Sequence, residues 1–225
     1  MLTKTINSIK KVAAQTDHLI LFHSGAGKDS IALLDLCYPH FRKVTCVYMY
    51  IVKDLVHIKK YIDWAQGKYP GIEFIELPHY ALSSYIKTGH MGIKKDIKQK
   101  LFSLADINER ARLILGSEWT IYGFKQSDSM NRRLMLRTYE DSIINNHTKK
   151  AYPLSEWRNK DVLKYIKMKR LINPIAYGIA QSQGTAIDDK DFVLWCYRNY
   201  PGDYQKIIKT FPEAEIIVFE YLNQG

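Results

Sequence analysis

Strand-like and helix-like segments alternate along the first half of the chain. Short apolar runs at residues 18–23, 43–52, 72–77 and 118–123 are typical of buried strands. Amphipathic or apolar helical patterns accompany them at residues 2–15, 30–37, 55–68 and 105–115. Parallel strands need crossover connections of this length, and such a sheet is covered by helices on both faces. The alternation therefore predicts an α/β fold with a mainly parallel sheet.

The later part of the chain follows a different pattern. After residue 139 strand-like runs become rare, and prolines separate helical segments at residues 159–169, 188–200 and 203–210. A chain of 225 residues is long enough for one substantial core with a small extension. We expect an α/β nucleotide-binding domain over residues 1–150 and a helical C-terminal extension over residues 151–225 packed on the same domain.

Composition excludes several classes of protein. With 46% hydrophobic and 25% charged residues, the chain is not of a disordered type. It has no apolar run long enough for a membrane span, and residues 1–16 contain lysines in an amphipathic pattern rather than a secretory signal. We therefore expect a cytoplasmic protein with no membrane partner.

The cysteines and histidines form no recognisable metal or disulfide pattern. Cys37, Cys46 and Cys196 are widely separated, and the seven histidines lack metal-ligand spacing. The sequence therefore predicts no iron–sulfur cluster, no zinc and no other protein-held metal site. Cys196 lies between aromatic residues and is expected to be a buried core residue rather than a nucleophile.

Positive charge is concentrated in two stretches. The formal net charge is +10, and residues 87–137 carry eleven Lys and Arg against five Asp and Glu. Residues 147–170 carry eight against two. Such blocks favour an anionic ligand, either a nucleotide or a nucleic acid. For the lysines at positions 94, 95, 98 and 100, a merely solvated surface is an equally good interpretation.

A glycine-rich loop joins the first apolar run to the helical segment after it, and it reads Ser24-Gly25-Ala26-Gly27-Lys28-Asp29-Ser30. Small residues let the backbone approach a phosphate closely, and the amides of the following helix N-terminus supply hydrogen-bond donors. A P-loop of the GxxxxGK[ST] type does not fit, because Asp29 follows the lysine and Phe22 stands where the first glycine belongs.

The loop resembles the PP-loop, the SGGxDS-type pyrophosphate-binding loop of the adenine nucleotide α-hydrolases. Within that superfamily, AGKDS followed by IALLDL is similar to the loop and helix of the phosphoadenosine phosphosulfate (PAPS) reductase-like family. Either the loop has one extra residue, or Gly25 takes the place of the serine. Three later segments resemble motifs of that family, in the same order. They are residues 123–133 (GxRxxxSxxR, with Lys125 replacing an arginine), 152–166 (PLxxWxxxDVxxYI) and 173–178 (NPxYxxG).

The resemblance implies a Rossmann-like (HUP-type) three-layer sandwich that binds ATP or PAPS, with Mg²⁺ accompanying the phosphates. It implies these nucleotide-binding residues: Ser24, Gly25, Ala26, Gly27, Lys28, Asp29, Ser30, Gly123, Lys125, Ser129, Arg132 and Arg133. Lys28 and Arg132 would act in catalysis by stabilising charge on the departing pyrophosphate, and Asp29 as a helix cap or metal ligand. At the end of the second strand-like run, Tyr48 and Tyr50 either stack on adenine or belong to the core.

The chain departs from the family in one respect that affects its function. PAPS reductases use a cysteine in a C-terminal ECGxH motif, and residues 211–225 contain no cysteine. We therefore predict attack at the α-phosphate of ATP with release of pyrophosphate. One alternative is sulfonucleotide reduction with Cys196 or an external thiol. Another is a nucleotide-binding component of a nucleic-acid-modifying, sulfur-inserting system with a partner enzyme. The acceptor and the formation of a homodimer are left open.

Overall fold

A computed structural model of the chain describes residues 1–23, 25–175 and 187–223. Its strands are β1 (His18–His23), β2 (Lys43–Tyr50), β3 (Glu73–Pro78), β4 (Thr120–Ile121), β5 (Ile144–Asn145) and β6 (Lys150–Ala151). The first helices are α1 (Leu2–Ala13), α2 (Lys28–Cys37), α3 (Val56–Lys68), α4 (Tyr80–Thr88) and α5 (Leu104–Leu115). The later ones are α6 (Met130–Arg137), α7 (Asn159–Met168), α8 (Lys190–Asn199), α9 (Pro201–Thr210) and α10 (Ala214–Leu222).

The described strands form one sheet in the order β3-β2-β1-β4-β6-β5. Every neighbouring pair is parallel except β5 and β6, which are antiparallel. The α/β fold with a mainly parallel sheet is therefore confirmed. The chain moves from β1 to β2 on one side and later reaches β4 on the other side of β1. Such a reversal opens a crevice beyond the carboxyl ends of β1 and β4.

Side-chain alternation along β1 explains its continuous apolar sequence. Leu19 and Leu21 point into a core cluster shared with α1, α2 and α7. Ile20 and Phe22 point to the opposite cluster, which contains residues of α5 and α6. Because neighbouring side chains of a strand face opposite sides, a strand buried on both sides has to be apolar at every position. The helices on the two faces complete the three-layer sandwich.

The C-terminal helices pack on the end of β2 and on α3. Tyr48 and Ile58 share a buried cluster with Phe192, Ile207 and Val218. A short strand, β6, lies across the predicted boundary at residue 150, and the division of the chain there stays a prediction. None of the described helices is long and apolar enough to cross a membrane.

Asp203, on α9, connects the C-terminal helices to α3. Its fully buried carboxylate accepts hydrogen bonds from the backbone amides of Val56 (2.7 Å) and His57 (3.1 Å). It also lies 2.8 Å from Nδ1 of His57. A side chain distant in sequence therefore supplies the N-terminal cap of α3, which has no cap from its own N-cap residue.

Asp203→Ala should therefore lower the free energy of unfolding by about 2–3 kcal/mol, because it removes charge-assisted bonds and leaves buried donors unpaired. Asp189→Ala is the matched control, since Asp189 caps α8 through one 3.0 Å bond from Phe192 N, a loss of about 1 kcal/mol. Urea denaturation of both variants measures the difference. Equal losses would contradict the special role of Asp203.

The structure differs from the predicted pattern in several elements. The helix after the glycine-rich loop begins at Lys28, two residues earlier than predicted. The predicted basic loop at residues 124–133 ends in a helix, because Ser129 accepts a hydrogen bond from Arg132 N (3.2 Å) and caps α6. Helices α4 and α10 and the two-residue strands β5 and β6 were not predicted.

A candidate nucleotide site at the switch point of the sheet

A cavity of about 420 Å³ opens beyond the carboxyl ends of the central strands. Its wall includes His23 at the end of β1, Met49 on β2, Gly123 after β4 and the first turn of α2. This is the crevice that the strand order creates, where open α/β sheets bind their ligands. The predicted residues that line it are Lys28, Asp29, Ser30, Gly123 and Arg132.

Two glycines shape the backbone around the cavity. Gly25 has φ +71°, and a Cβ there would lie 3.0 Å from Ile58 Cδ1 and 3.5 Å from the Tyr48 ring. The position of Gly25 therefore requires a residue that adopts a left-handed backbone and has no side chain. A Cβ on Gly123 would lie 3.3 Å from Cβ of Asp29, so this glycine allows the segment after β4 to approach α2. Buried Ala26 and the helix-capping Gly27 complete the described loop.

An ion-pair network connects α2 to the segment between β4 and α6. Lys125 Nζ lies 2.7 Å from Asp29 Oδ2 and 3.0 Å from Asp128 Oδ1. Lys28 Nζ is 3.3 Å from Asp29 Oδ2, and the Arg132 guanidinium is 2.8 Å from Asp128 Oδ2. Three cationic groups thus share two carboxylates, which leaves one excess positive charge beside the helix N-terminus. Such a site attracts anions.

Lys125 and Arg132 have different roles in this network. Only 1% of the Lys125 side chain is exposed, and both of its ion pairs are internal, so it fixes Asp29 and Asp128 relative to each other. The Arg132 side chain is 40% exposed, and its guanidinium lies 4.0 Å from the centre of the Phe124 ring. Arg132 is therefore the one that presents its charge to the cavity. The sequence predicted a phosphate contact for both.

Asp128 also lines the cavity, although it was not among the residues predicted from the sequence. Burial alone would raise the pKa of this carboxyl, but the Lys125 backbone amide and ammonium, together with Arg132, hold the pKa below its usual value. Asp128 therefore stays ionised at neutral pH. Its spacing of three residues after Lys125 and four before Arg132, a charge pattern that favours pairing, is the signal that could have identified it.

Asp29 carries an oxygen that is suited to a cation. Its Oδ2 binds the two lysines, whereas Oδ1 is buried and has no hydrogen-bond partner among the described residues. A buried carboxylate oxygen without a partner is costly unless a ligand satisfies it. Mg²⁺ typically binds through one or two carboxylates together with phosphates and water, so Asp29 fits a magnesium ion that arrives with a nucleotide. In the described residues, no three His, Cys, Asp or Glu side chains gather into a metal site.

The opposite wall of the cavity is aromatic and was not predicted from the sequence. His79 and Tyr80 follow β3 directly, line the cavity and stack with ring centres 4.3 Å apart. His23 is fully buried; its Nε2 lies 2.7 Å from Tyr61 Oη, and its Nδ1 has no partner among the described residues. Burial lowers the pKa of His23 to about 3, so the ring is neutral at pH 7. Aromatic faces of this kind suit a nucleobase.

Some predicted residues are not part of the cavity wall. Met49 of β2 faces it, and Tyr48 therefore faces the other side, where it is buried against Ile58 in the cluster of the C-terminal helices. Ser129 caps α6, and Arg133 lines a neighbouring cavity. Ser24 lies outside the described residues, as do residues 176–178 of the last predicted motif.

A mainly parallel sheet with a glycine-rich loop at its switch point is the arrangement of a Rossmann-like nucleotide-binding protein of the PP-loop class. Residues 19–177 match the sequence model of the phosphoadenosine phosphosulfate reductase domain. This match covers more than half of the chain, so the chain belongs to that family. No curated protein matches the sequence.

The solved structures that the chain resembles include two enzymes. The U34-tRNA thiolase NcsA from Methanococcus maripaludis, solved with its [4Fe-4S] cluster, is 14% identical, with a TM-score of 0.44 over 96% of this chain and 80% of that chain. The NH3-dependent NAD synthetase from Campylobacter jejuni, in complex with nitrate, is 13% identical, with a TM-score of 0.48 over 96% and 94% of the two chains. At this level of identity the matches concern the fold alone.

One expectation from the sequence is corrected by these comparisons. The scarcity of cysteines predicted that the chain holds no iron–sulfur cluster, yet the thiolase matched by fold carries one. The prediction of no iron–sulfur cluster is therefore wrong, because the absence of a cysteine motif is not enough to exclude a cluster. Cys37, Cys46 and Cys196 are all buried, the first two in one core cluster and the third in another.

Proposed function

We propose that the chain binds ATP in the cavity at the switch point and catalyses transfer of its adenylyl group to an acceptor. A nucleophile of the acceptor attacks the α-phosphorus, the bond from that phosphorus to the bridging oxygen breaks, and pyrophosphate leaves. The observation that carries this proposal is the network of Lys28, Asp29, Lys125, Asp128 and Arg132 at the N-terminus of α2. It provides net positive charge where the leaving group accumulates negative charge.

Each residue of the network has a distinct role in this proposal. Lys28 and Arg132 bind the departing pyrophosphate and stabilise its charge. Asp29 presents Oδ1 to the magnesium ion that the nucleotide brings. Lys125 is a positioning residue, since both of its contacts are to carboxylates of the protein. The adenine ring lies against the wall formed by Met49, His79 and Tyr80.

The cysteines support adenylyl transfer over reduction by a thiol of this chain. Cys196 is fully buried, and burial raises the pKa of its thiol to about 12. Cys37 and Cys46 are also fully buried, and burial raises the pKa of both. A thiol with such a pKa is protonated at pH 7, and the thiolate is the form that reacts.

A comparison of three nucleotides tests the proposal. We expect ATP with Mg²⁺ to bind at least about tenfold more tightly than PAPS or adenylylsulfate, because only ATP offers a β,γ-pyrophosphate to the loop. Titration calorimetry measures the affinities. Arg132→Ala should weaken ATP binding, whereas Lys94→Ala, an exposed lysine outside the cavity wall, should not.

The opposite ranking would contradict the proposal. If PAPS bound more tightly than ATP and yielded sulfite with a reducing thiol, the chain would be a sulfonucleotide reductase. Loss of that sulfite in Cys196→Ser would then assign the reaction to the buried cysteine.

Three further expectations remain part of the proposal. They are the division of the chain at residue 150, a cytoplasmic location and the formation of a homodimer.

A further inference from the structure

A second cavity, of about 400 Å³, lies beside the nucleotide cavity and carries an unusual concentration of arginine. Arg133 and Arg137 of α6 and Arg158 at the start of α7 line it. Ser127 lines both cavities, so the two share a wall. Any molecule that fills the second cavity therefore lies next to the site where we place the phosphates of ATP.

The arginines on α6 are held in place from within the protein. Arg133 Nε is 3.4 Å from the backbone oxygen of Gln126, and Arg137 Nε is 3.4 Å from Oε1 of the same residue. Gln126 is itself fixed, because its backbone amide donates to Ser155 O at 2.8 Å. These bonds use the inner nitrogen of each guanidinium and leave the outer pair for a ligand. An oriented guanidinium matches the two oxygens of a phosphate.

The acidic residues around this cavity pair with lysines of α1 rather than with its arginines. Glu156, on its wall, pairs with Lys4 at 2.5 Å. Glu140 and Asp141 both pair with Lys11 at 3.0 Å. Within the described ranges, no ion pair involves any of the three arginines of the second cavity, so their guanidinium groups are not engaged by a carboxylate of the protein.

The positive surface continues from the cavity along α7. Lys160, Lys164 and Lys167 follow Arg158 at helical spacing and are exposed, whereas Val162, Tyr165 and Ile166 on the other face are buried. At about 1.5 Å per residue the helix is about 15 Å long. That length spans about four phosphates of a nucleic-acid strand, at about 3.4 Å each. A small phosphate compound would fill the cavity but would not use this row of lysines.

We propose that the three arginines of the second cavity and the lysine row of α7 bind the phosphate backbone of a nucleic acid, which is the acceptor for the adenylyl group. The backbone occupies the second cavity and follows α7, and the reacting group enters the nucleotide cavity past Ser127. The statement that the nucleic acid is the acceptor rests on the proposed function. The statement that this surface binds a nucleic acid is independent of that function.

Binding of single-stranded oligonucleotides tests this surface. We expect a fluorescent RNA or DNA strand of about 20 nucleotides to bind the full chain at about 50 mM salt and to dissociate as salt rises to about 200 mM. Arg137→Ala/Arg158→Ala should weaken binding by more than about tenfold and lower the magnitude of the log–log salt slope by about 1.4, since each lost phosphate contact contributes about 0.7. Fluorescence anisotropy measures both quantities.

The matched control is Lys94→Ala/Lys98→Ala, which removes the same charge from the exposed segment between α4 and α5. It should change the affinity less than about twofold, a difference of about 0.4 kcal/mol. Equal weakening in the two variants, or no binding of either strand at low salt, would overturn the proposal. Displacement of the strand by inorganic phosphate at equal concentration would also overturn it, because the cavity would then be a site for small phosphates.

ATP binding separates this proposal from the proposed function. Arg137 and Arg158 lie outside the wall of the nucleotide cavity, so their double variant should bind ATP like the unmodified chain. If oligonucleotides bind as expected and ATP does not bind at all, the adenylyl-transfer proposal fails while the nucleic-acid surface stands.

Discussion

Lys28→Ala should slow the formation of AMP and pyrophosphate from ATP by about 100- to 1000-fold, with water as the acceptor. Loss of one preorganised group that stabilises transition-state charge typically has an effect of this size, equal to about 3–4 kcal/mol. Lys28 lines the cavity, and Asp29 holds its ammonium at 3.3 Å in the first turn of α2. Release of pyrophosphate from ATP, measured in a coupled assay, reports the effect.

The fold should tolerate this substitution, because alanine is favourable in a first helical turn and Lys125 still pairs with Asp29. Lys59→Ala is a suitable control, since the Lys59 side chain is 73% exposed on α3 and, among the described residues, its ammonium pairs only with Asp63. The control should retain full activity and both variants should unfold at the same temperature. An unchanged turnover rate in Lys28→Ala would show that Lys28 has no catalytic role.

Lys125→Met should destabilise the protein by about 3–5 kcal/mol and also abolish most activity. It removes the buried ammonium that pairs with both Asp29 and Asp128, and truncating one partner of a buried ion pair is strongly destabilising. Lys28 and Arg132 still pair with the two carboxylates, but neither connects one carboxylate to the other. Methionine has a similar volume, so a cavity does not account for the loss. Urea denaturation measures the stability, and Lys125→Arg should restore much of it.

The dependence on pH gives this prediction a distinct signature. In the unmodified protein the pKa of Asp128 lies below its usual value of about 4, so its stabilising contribution is present above that pH and is lost as the pH falls through the lowered pKa. Lys125→Met removes the part of this contribution that comes from the ammonium, and the parts from the backbone amide and from Arg132 remain. The stability difference between the two proteins should therefore shrink as the pH falls below about 4. A difference independent of pH would show that Lys125 acts through packing alone.

Strands β1 and β2 could be predicted from the sequence because both of their faces are buried, and the edge strand β3 because its run contains β-branched and aromatic residues. The bounds of β1 match the prediction, and those of β2 and β3 differ from it by one or two residues. Two-residue strands such as β5 and β6 have no periodicity to detect. Helix α6 was not predicted for a different reason. Its first residue is fixed by the capping Ser129 side chain, and the charged residues around Ser129 indicated a loop.

The candidate site could be predicted only in part. The loop motif located Lys28, Asp29 and Ser30, which line the cavity. The sequence predicted Tyr48 as a nucleotide-binding residue, whereas Met49 lines the cavity. Adjacent residues of a strand face opposite sides, so the correct choice depends on the orientation of β2 in the sheet. The role of Lys125 depends on two carboxylates that converge on it from different segments, which a linear pattern does not reveal.

The left-handed turn at Gly25 ties the nucleotide loop to a distant part of the chain. The atoms that a Cβ at this position would meet belong to Tyr48 and Ile58, and both side chains share a buried cluster with residues of α8, α9 and α10. The C-terminal helices thus support the loop through Tyr48 and Ile58, without contributing a residue to the wall of the nucleotide cavity. A shortened chain that ends after α7 would keep every proposed nucleotide contact. It would lose the helices that hold Tyr48 and Ile58 in place against the loop. Weak ATP binding by such a fragment would therefore say little about the contacts themselves.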